Sequence, residues 1–100
     1  LNSLLAGVKY NPAHVQEGTA LYVSNCAFCH GVPGVDRGGN IPNLGFSRTE
    51  VIANLEAWLF NGAAKDRGMP DFTGRLKAED ADKLRAFIQG TADAVRPKSN

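Results

Sequence analysis

The run Cys26-Ala27-Phe28-Cys29-His30 restricts the fate of this chain of 100 residues more than any other feature. C-x-x-C-H is the spacing at which two thiols attach a haem covalently. Carried on a helical turn, the two cysteines reach the two vinyl positions of the porphyrin, and His30 comes up beneath the metal as an axial ligand. Other chemistries of the pair are weaker. A disulfide between Cys26 and Cys29, the only two cysteines, closes too short a loop to add much stability. A thioredoxin-like redox pair needs a preceding strand and a βαβ setting, whereas residues 18–25 read as helix. Zinc needs four good ligands, and His14 is the only histidine outside the motif.

A chain this short makes one domain and buries only a modest part of its unfolded surface, so a haem would supply much of the missing core. Eleven basic against ten acidic residues leave a net charge of +1. That balance disfavours a nucleic-acid binder or a basic membrane adhesive. No apolar run approaches the roughly 20 residues of a transmembrane helix, and residues 1–10 lack the charged start and apolar middle of a signal peptide. The first residue is Leu1 rather than Met, as expected of a processed protein or a piece of something longer. Residues 1–11 read as a linker or docking strap, with a loosely docked terminus as the rival reading. Residues 12–97 read as the haem domain and 98–100 as a polar tail.

The helical pattern comes in three stretches. The first runs from Pro12 to about Cys29, with Asn11 placed to cap it and Pro12 at the permissive first position. Gly18 inside it costs about 1 kcal/mol relative to Ala and invites a close helix crossing. The second opens at Ser47-Arg48-Thr49-Glu50, which fits a capping box. Val51, Ile52, Leu55, Trp58 and Leu59 follow at helical spacing, and Asn61-Gly62 ends it. The third runs from about Ala78 to Gln89, with Ala81, Leu84, Phe87 and Ile88 on one face and acidic residues at its start. Gly90 ends it or lets it continue through Val95. Between the first two stretches, residues 31–45 hold five glycines with Pro33 and Pro42, a composition for turns that wrap closely round something.

An iron held by His30 has one further axial position, and the chain has one methionine, Met69, in Arg67-Gly68-Met69-Pro70. A thioether suits low-spin haem and raises its potential. Gly68 allows close approach to the porphyrin and Pro70 stiffens the segment. A lone methionine is more often core filler; the haem motif and the flanking residues favour ligation here. His14, twelve residues before Cys26, is expected on the surface. Arg37, Lys65 and Arg67 are the cations nearest these motifs, with Arg67 first in line to pair with a haem propionate. Trp58 is a second candidate through its indole N–H, with a plain core role as the rival.

The helix order, the C-x-x-C-H at the end of the first helix and the downstream methionine resemble class I cytochromes c. The resemblance implies an all-α fold of about three to five helices wrapped round one covalent haem c. In that family a glycine and an aromatic on the first helix cross a leucine and an aromatic on the last. Gly18 and Tyr22, eight and four residues before Cys26, then cross Leu84 and Phe87. The resemblance also implies that Pro42 offers its carbonyl to the second ring nitrogen of His30 and so orients the ring.

A narrower likeness runs through Cys26 to Gly34, Gly39-Asn40-Ile41-Pro42-Asn43-Leu44 and Arg67-Gly68-Met69-Pro70-Asp71-Phe72. These segments are similar to the C-terminal haem domain of quinohaemoprotein alcohol dehydrogenases, over most of residues 12–97. In that family a β-propeller domain with pyrroloquinoline quinone (PQQ) and calcium oxidises an alcohol and passes electrons singly to the tethered haem. The propeller lies outside this sequence, so the quinone and calcium sites are not carried over. The likeness implies one-electron transfer, with the PQQ-dependent domain as donor and a copper protein, another cytochrome or a membrane oxidase as acceptor. It implies a periplasmic location, since haem c is attached outside the energy-transducing membrane. With both axial positions filled, the domain alone is not expected to be an enzyme, which sets it apart from a small haem peroxidase or gas sensor. A free-standing soluble cytochrome shuttle is the alternative.

Overall fold

The computed structural model describes residues 4–26, 30–31, 33–34, 43–60 and 72–96. Four helices lie among them: α1 (Val15–Asn25), α2 (Thr49–Ala53), α3 (Leu55–Phe60) and α4 (Ala78–Val95). Single 3-10 turns, Pro12–His14 and Leu44–Phe46, precede α1 and α2. Among the described residues the only β pairing is an isolated bridge between Thr73 and Leu76. The all-α fold expected from the sequence is the fold observed.

The start of the first helical stretch follows its sequence signals. Asn11 accepts a hydrogen bond from the Ala13 amide at 3.0 Å, with Pro12 in the first position. The first turn is 3-10 rather than α, and α1 proper ends at Asn25 with Cys26 as its cap; residues 27–29 of the expected stretch lie outside the described residues. His14 is half-buried instead of solvent-facing, and its Nδ1 is sealed from water without a hydrogen-bond partner. The 3-10 turn packs against α4, which tucks the imidazole inward.

The second stretch departs further from the pattern. Arg48, not Ser47, is the N-cap of α2, and no side chain caps it, so the expected capping box does not form. The stretch also breaks into two helices at Asn54. Asn54 bonds its side-chain amide to the Glu50 carbonyl at 3.0 Å, the local competition that makes asparagine a poor interior helix residue. Arg85 of α4 then donates to the carbonyls of Ile52 (3.1 Å) and Ala53 (3.3 Å) at the end of the broken helix, where carbonyls lack a full set of helical donors.

The third stretch is one helix. It runs past Gly90 to Val95 because its far end, including Ala92 at 0 % exposure, belongs to the core. The Asp80 carboxylate accepts the Lys77 amide at 2.9 Å and holds its first turn. Helices α1 and α4 cross where Gly18 meets the Lys83 carbonyl, closely enough that a β-carbon at position 18 would stand 1.9 Å from that oxygen. The Tyr22 and Phe87 rings pack beside the crossing with centroids 4.8 Å apart. The expected crossing partners are met, although the nearest atom to Gly18 is backbone of Lys83 rather than the side chain of Leu84.

Residues 4–10 are bound tightly to the domain. Leu5 and Val8 are buried in its core. The fully buried Gln89 amide accepts the Val8 N–H at 3.1 Å and donates to the Leu5 carbonyl at 3.0 Å. Leu5 N–H reaches the Gly45 carbonyl at 2.8 Å, and the Thr49 hydroxyl reaches that of Ala6 at 2.7 Å.

Candidate haem-attachment site

The end of α1 builds the site. Cys26 follows the last residue of the helix, its amide bonded to the Tyr22 carbonyl at 2.8 Å. Its own carbonyl accepts the His30 amide at 2.9 Å, so Cys26 and His30 stand one helical turn apart. Cys26 is buried in the same apolar cluster as Tyr22, Leu55, Leu59 and Phe72. His30 is half-buried. Past it the backbone turns away at Gly31 with φ +72°, a left-handed conformation that only glycine adopts without cost.

Two side chains secure the exit from this turn. The Tyr22 hydroxyl donates to the Gly31 carbonyl at 2.7 Å. Tyr22 is 1 % exposed, and burial, with a smaller contribution from the Cys26 sulfur, raises its pKa well above the ordinary tyrosine value. The hydroxyl therefore stays protonated and donating. Asn43, also buried, accepts the amides of Gly34 (2.9 Å) and Gly45 (2.8 Å) through one oxygen. It joins the turn after His30 to the segment that enters α2.

On the opposite side, Phe72 is anchored to α3. Its amide donates to the Leu59 carbonyl at 2.7 Å and its ring is buried, while the Thr73 hydroxyl donates to the Phe60 carbonyl at 3.1 Å. These bonds fix the chain three residues beyond Met69. Trp58 is half-buried on α3. Cys29, Pro42, Arg67 and Met69, together with Arg37 and Lys65, lie outside the described residues.

The donor set fits a covalent haem. A thiol set in an apolar wall, with a histidine one turn later on the same helical line, suits thioether attachment and axial ligation of a largely apolar macrocycle. His14 does not belong to this set, since twelve residues of helical rise put it about 18 Å from Cys26. Sequence reasoning named Tyr22 as a packing residue and missed its hydroxyl bond, which only tertiary distance reveals. Asn43 carried a local signal, an asparagine just ahead of a helical turn, that was not used.

A helical domain closed by an α1/α4 crossing, with cysteine and histidine presented at the end of α1, is of the class I cytochrome c type. Residues 13–88 match the family model described as cytochrome c oxidase, cbb3-type, subunit III, and the chain belongs to that family of cytochrome c domains. It is 64 % identical over 98 residues to the 1-butanol dehydrogenase (cytochrome c) of Thauera butanivorans, covering 98 % of this chain and 14 % of the dehydrogenase. The crystal structure of quinohaemoprotein alcohol dehydrogenase from Comamonas testosteroni superposes with a TM-score of 0.94 at 64 % identity, over 97 % of this chain and 14 % of that one. Cytochrome c6 of Anabaena variabilis is 35 % identical over 86 residues, which cover 77 % of this chain and 91 % of the cytochrome. The chain thus spans about one seventh of the length of the dehydrogenases it matches. As a cytochrome c domain it carries covalent haem c, and its chemistry is electron transfer. No described helix is long and apolar enough to cross a membrane.

Proposed function

We propose that this domain is the electron-accepting module of a periplasmic PQQ-dependent alcohol dehydrogenase, taking electrons one at a time and delivering them to an external acceptor. The observation that carries this reading is the 64 % identity, over nearly the whole chain, to domains of two alcohol dehydrogenases. Bound haem supplies a metal centre that gains and loses one electron between its ferrous and ferric states. Cys26 and Cys29 would anchor it, and His30 and Met69 would ligate its iron. Pro42 would orient the His30 ring, and Arg67 and Trp58 would pair with its propionates. The buried side chains of Leu55, Leu59 and Phe72 would offer it an apolar wall. With the iron ligated by two side chains, the domain would move electrons without binding substrate at the metal. Alcohol oxidation, PQQ and calcium then belong to a partner domain, and a copper protein, a cytochrome or a membrane oxidase receives the electrons.

The coverage of cytochrome c6 at 91 % of its length favours the second reading, a free-standing periplasmic shuttle.

Rapid-mixing kinetics separate the two. The haem-loaded domain is mixed with a PQQ-dependent alcohol dehydrogenase reduced by its alcohol, and with an unrelated reduced dehydrogenase. A dehydrogenase module is reduced much faster by the first. Equal rates favour the shuttle. In the same preparation, Met69→Ala is expected to lower the reduction potential and remove the low-spin spectrum of two strong axial ligands; an unchanged spectrum overturns the Met69 assignment.

A further inference from the structure

Residues 22, 26 and 30 stand one helical turn apart, and their backbone bonds follow that line: Cys26 N–H to the Tyr22 carbonyl at 2.8 Å, and His30 N–H to the Cys26 carbonyl at 2.9 Å. Beyond His30 the helix is abandoned at Gly31, φ +72°. A carbonyl on such an exit has no helical donor to meet. The Tyr22 hydroxyl supplies one at 2.7 Å, bringing the far end of the turn back to the residue that began it. The His30 amide is therefore tied to Tyr22 through Cys26, and the peptide that follows Gly31, one residue further on, is tied to it directly. The tie is stiff, because the Tyr22 ring is 1 % exposed and packed on Phe87 at 4.8 Å. It cannot swing away without opening the α1/α4 crossing. Phenylalanine would give the same ring packing, so the hydroxyl is surplus to packing and serves the carbonyl of the residue after His30.

We infer that Tyr22 is a positioning residue for the His30 ligand, its hydroxyl holding the attachment turn so that the imidazole keeps one orientation against the iron. This rests on the haem ligation proposed above. Removing the hydroxyl frees the Gly31 peptide to rotate, and the His30 backbone, with the side chain it carries, follows. The attachment through Cys26 and Cys29 is left in place, so the change is one of ligand orientation rather than of haem retention.

The test compares the haem-loaded wild type with Tyr22→Phe, and with Phe87→Leu as a control that loosens the same crossing but spares the hydroxyl. Tyr22→Phe is expected to retain the covalent haem mass and the low-spin spectrum. It should redistribute the hyperfine-shifted haem methyl resonances, which report the axial histidine plane. In the ferrous protein its His30 amide should exchange about tenfold faster, the loss of one buried hydrogen bond, while the Gly34 amide held by Asn43 keeps its rate. Phe87→Leu should lower the thermal midpoint with the wild-type methyl pattern. Wild-type methyl shifts and His30 exchange in Tyr22→Phe, or an equal redistribution in Phe87→Leu, overturn the inference and leave the haem reading intact. A wild type without covalent haem or a histidine-ligated spectrum overturns both. If Tyr22→Phe yields no holoprotein, the wild type decides: a slowly exchanging Tyr22 hydroxyl proton with a through-space contact to the Gly31 α-protons supports the inference, and its absence overturns it.

Discussion

Gly18 of α1 rests so closely on Lys83 of α4 that a methyl group at position 18 would stand 1.9 Å from the Lys83 carbonyl oxygen and 3.0 Å from the Phe87 β-carbon. The obstacle is backbone, which cannot rotate out of the way. The crossing therefore sets the distance between the two longest helices, and with it the seat of Tyr22 and Cys26.

Gly18→Ala is expected to destabilise the haem-loaded domain by up to about 2 kcal/mol. The gain in helix propensity, about 1 kcal/mol, is outweighed by an overpacking strain of about 1–3 kcal/mol and by the looser packing of a core whose helices have been pushed apart. Denaturant unfolding followed by the tryptophan signal measures it. A stability equal to wild type would mean that the helices slide past one another without loss.

Gln89 is a device that sequence patterning does not announce. Its amide bonds the Val8 N–H, the Leu5 carbonyl and the Asp93 carboxylate. Gln89→Leu keeps the volume but strands the Val8 N–H in an apolar surround, at about 1–3 kcal/mol. The expected result is early proteolytic cleavage within residues 4–10 while the remainder resists. Wild-type cleavage kinetics would show that burial of Leu5 and Val8 alone secures this segment.

Arg85 is 8 % exposed and reaches the carbonyls of Ile52 and Ala53 as well as the Asp82 and Glu56 carboxylates. Both carboxylates are about half exposed, so they return to water easily when Arg85 is removed. The Ile52 carbonyl, in a buried bond, does not. Arg85→Met is expected to cost about 1–3 kcal/mol, and to speed amide exchange in α2 and α3 before the rest of the domain. Arg85→Lys should rescue little, since an ammonium lacks the planar fork that spans several acceptors.

Lys83 binds Glu17 at 2.9 Å, and that hydrogen bond, aided by the charges of Glu17, Asp80 and Glu79, raises the lysine pKa above 10.5. A native pKa above the unfolded one means that the folded protein holds the proton more tightly. The contribution is complete below the unfolded value and is lost as pH rises through the native one. Glu17→Gln should therefore lie below wild type in stability by a constant gap from pH 7 to about pH 10, and the gap should close at higher pH. A gap unchanged through the alkaline range would show that packing, not charge, carries the contact.

Much of this protein was legible in its residues because the decisive signals are local. C-x-x-C-H is a spacing, Asn11-Pro12 is a cap and a fixed φ, and the periodic apolar residues of 78–89 are a face. Such signals need only neighbours along the chain. The α2/α3 break was not legible, since Val51 to Leu59 keep helical spacing across it; Asn54 and a cation from α4, 31 positions further along the chain, decide it. Arg85 and Gln89 carry no apolar signal, yet both are buried where backbone from distant segments needs hydrogen-bond partners. The sequence by itself determined the cofactor chemistry, the helical class and the helix that presents Cys26. Only the tertiary structure decided how close α1 and α4 come, where the second helical stretch breaks, and that Tyr22 reaches round to Gly31. Those outcomes depend on distances between residues far apart in the chain, which spacing along it does not encode.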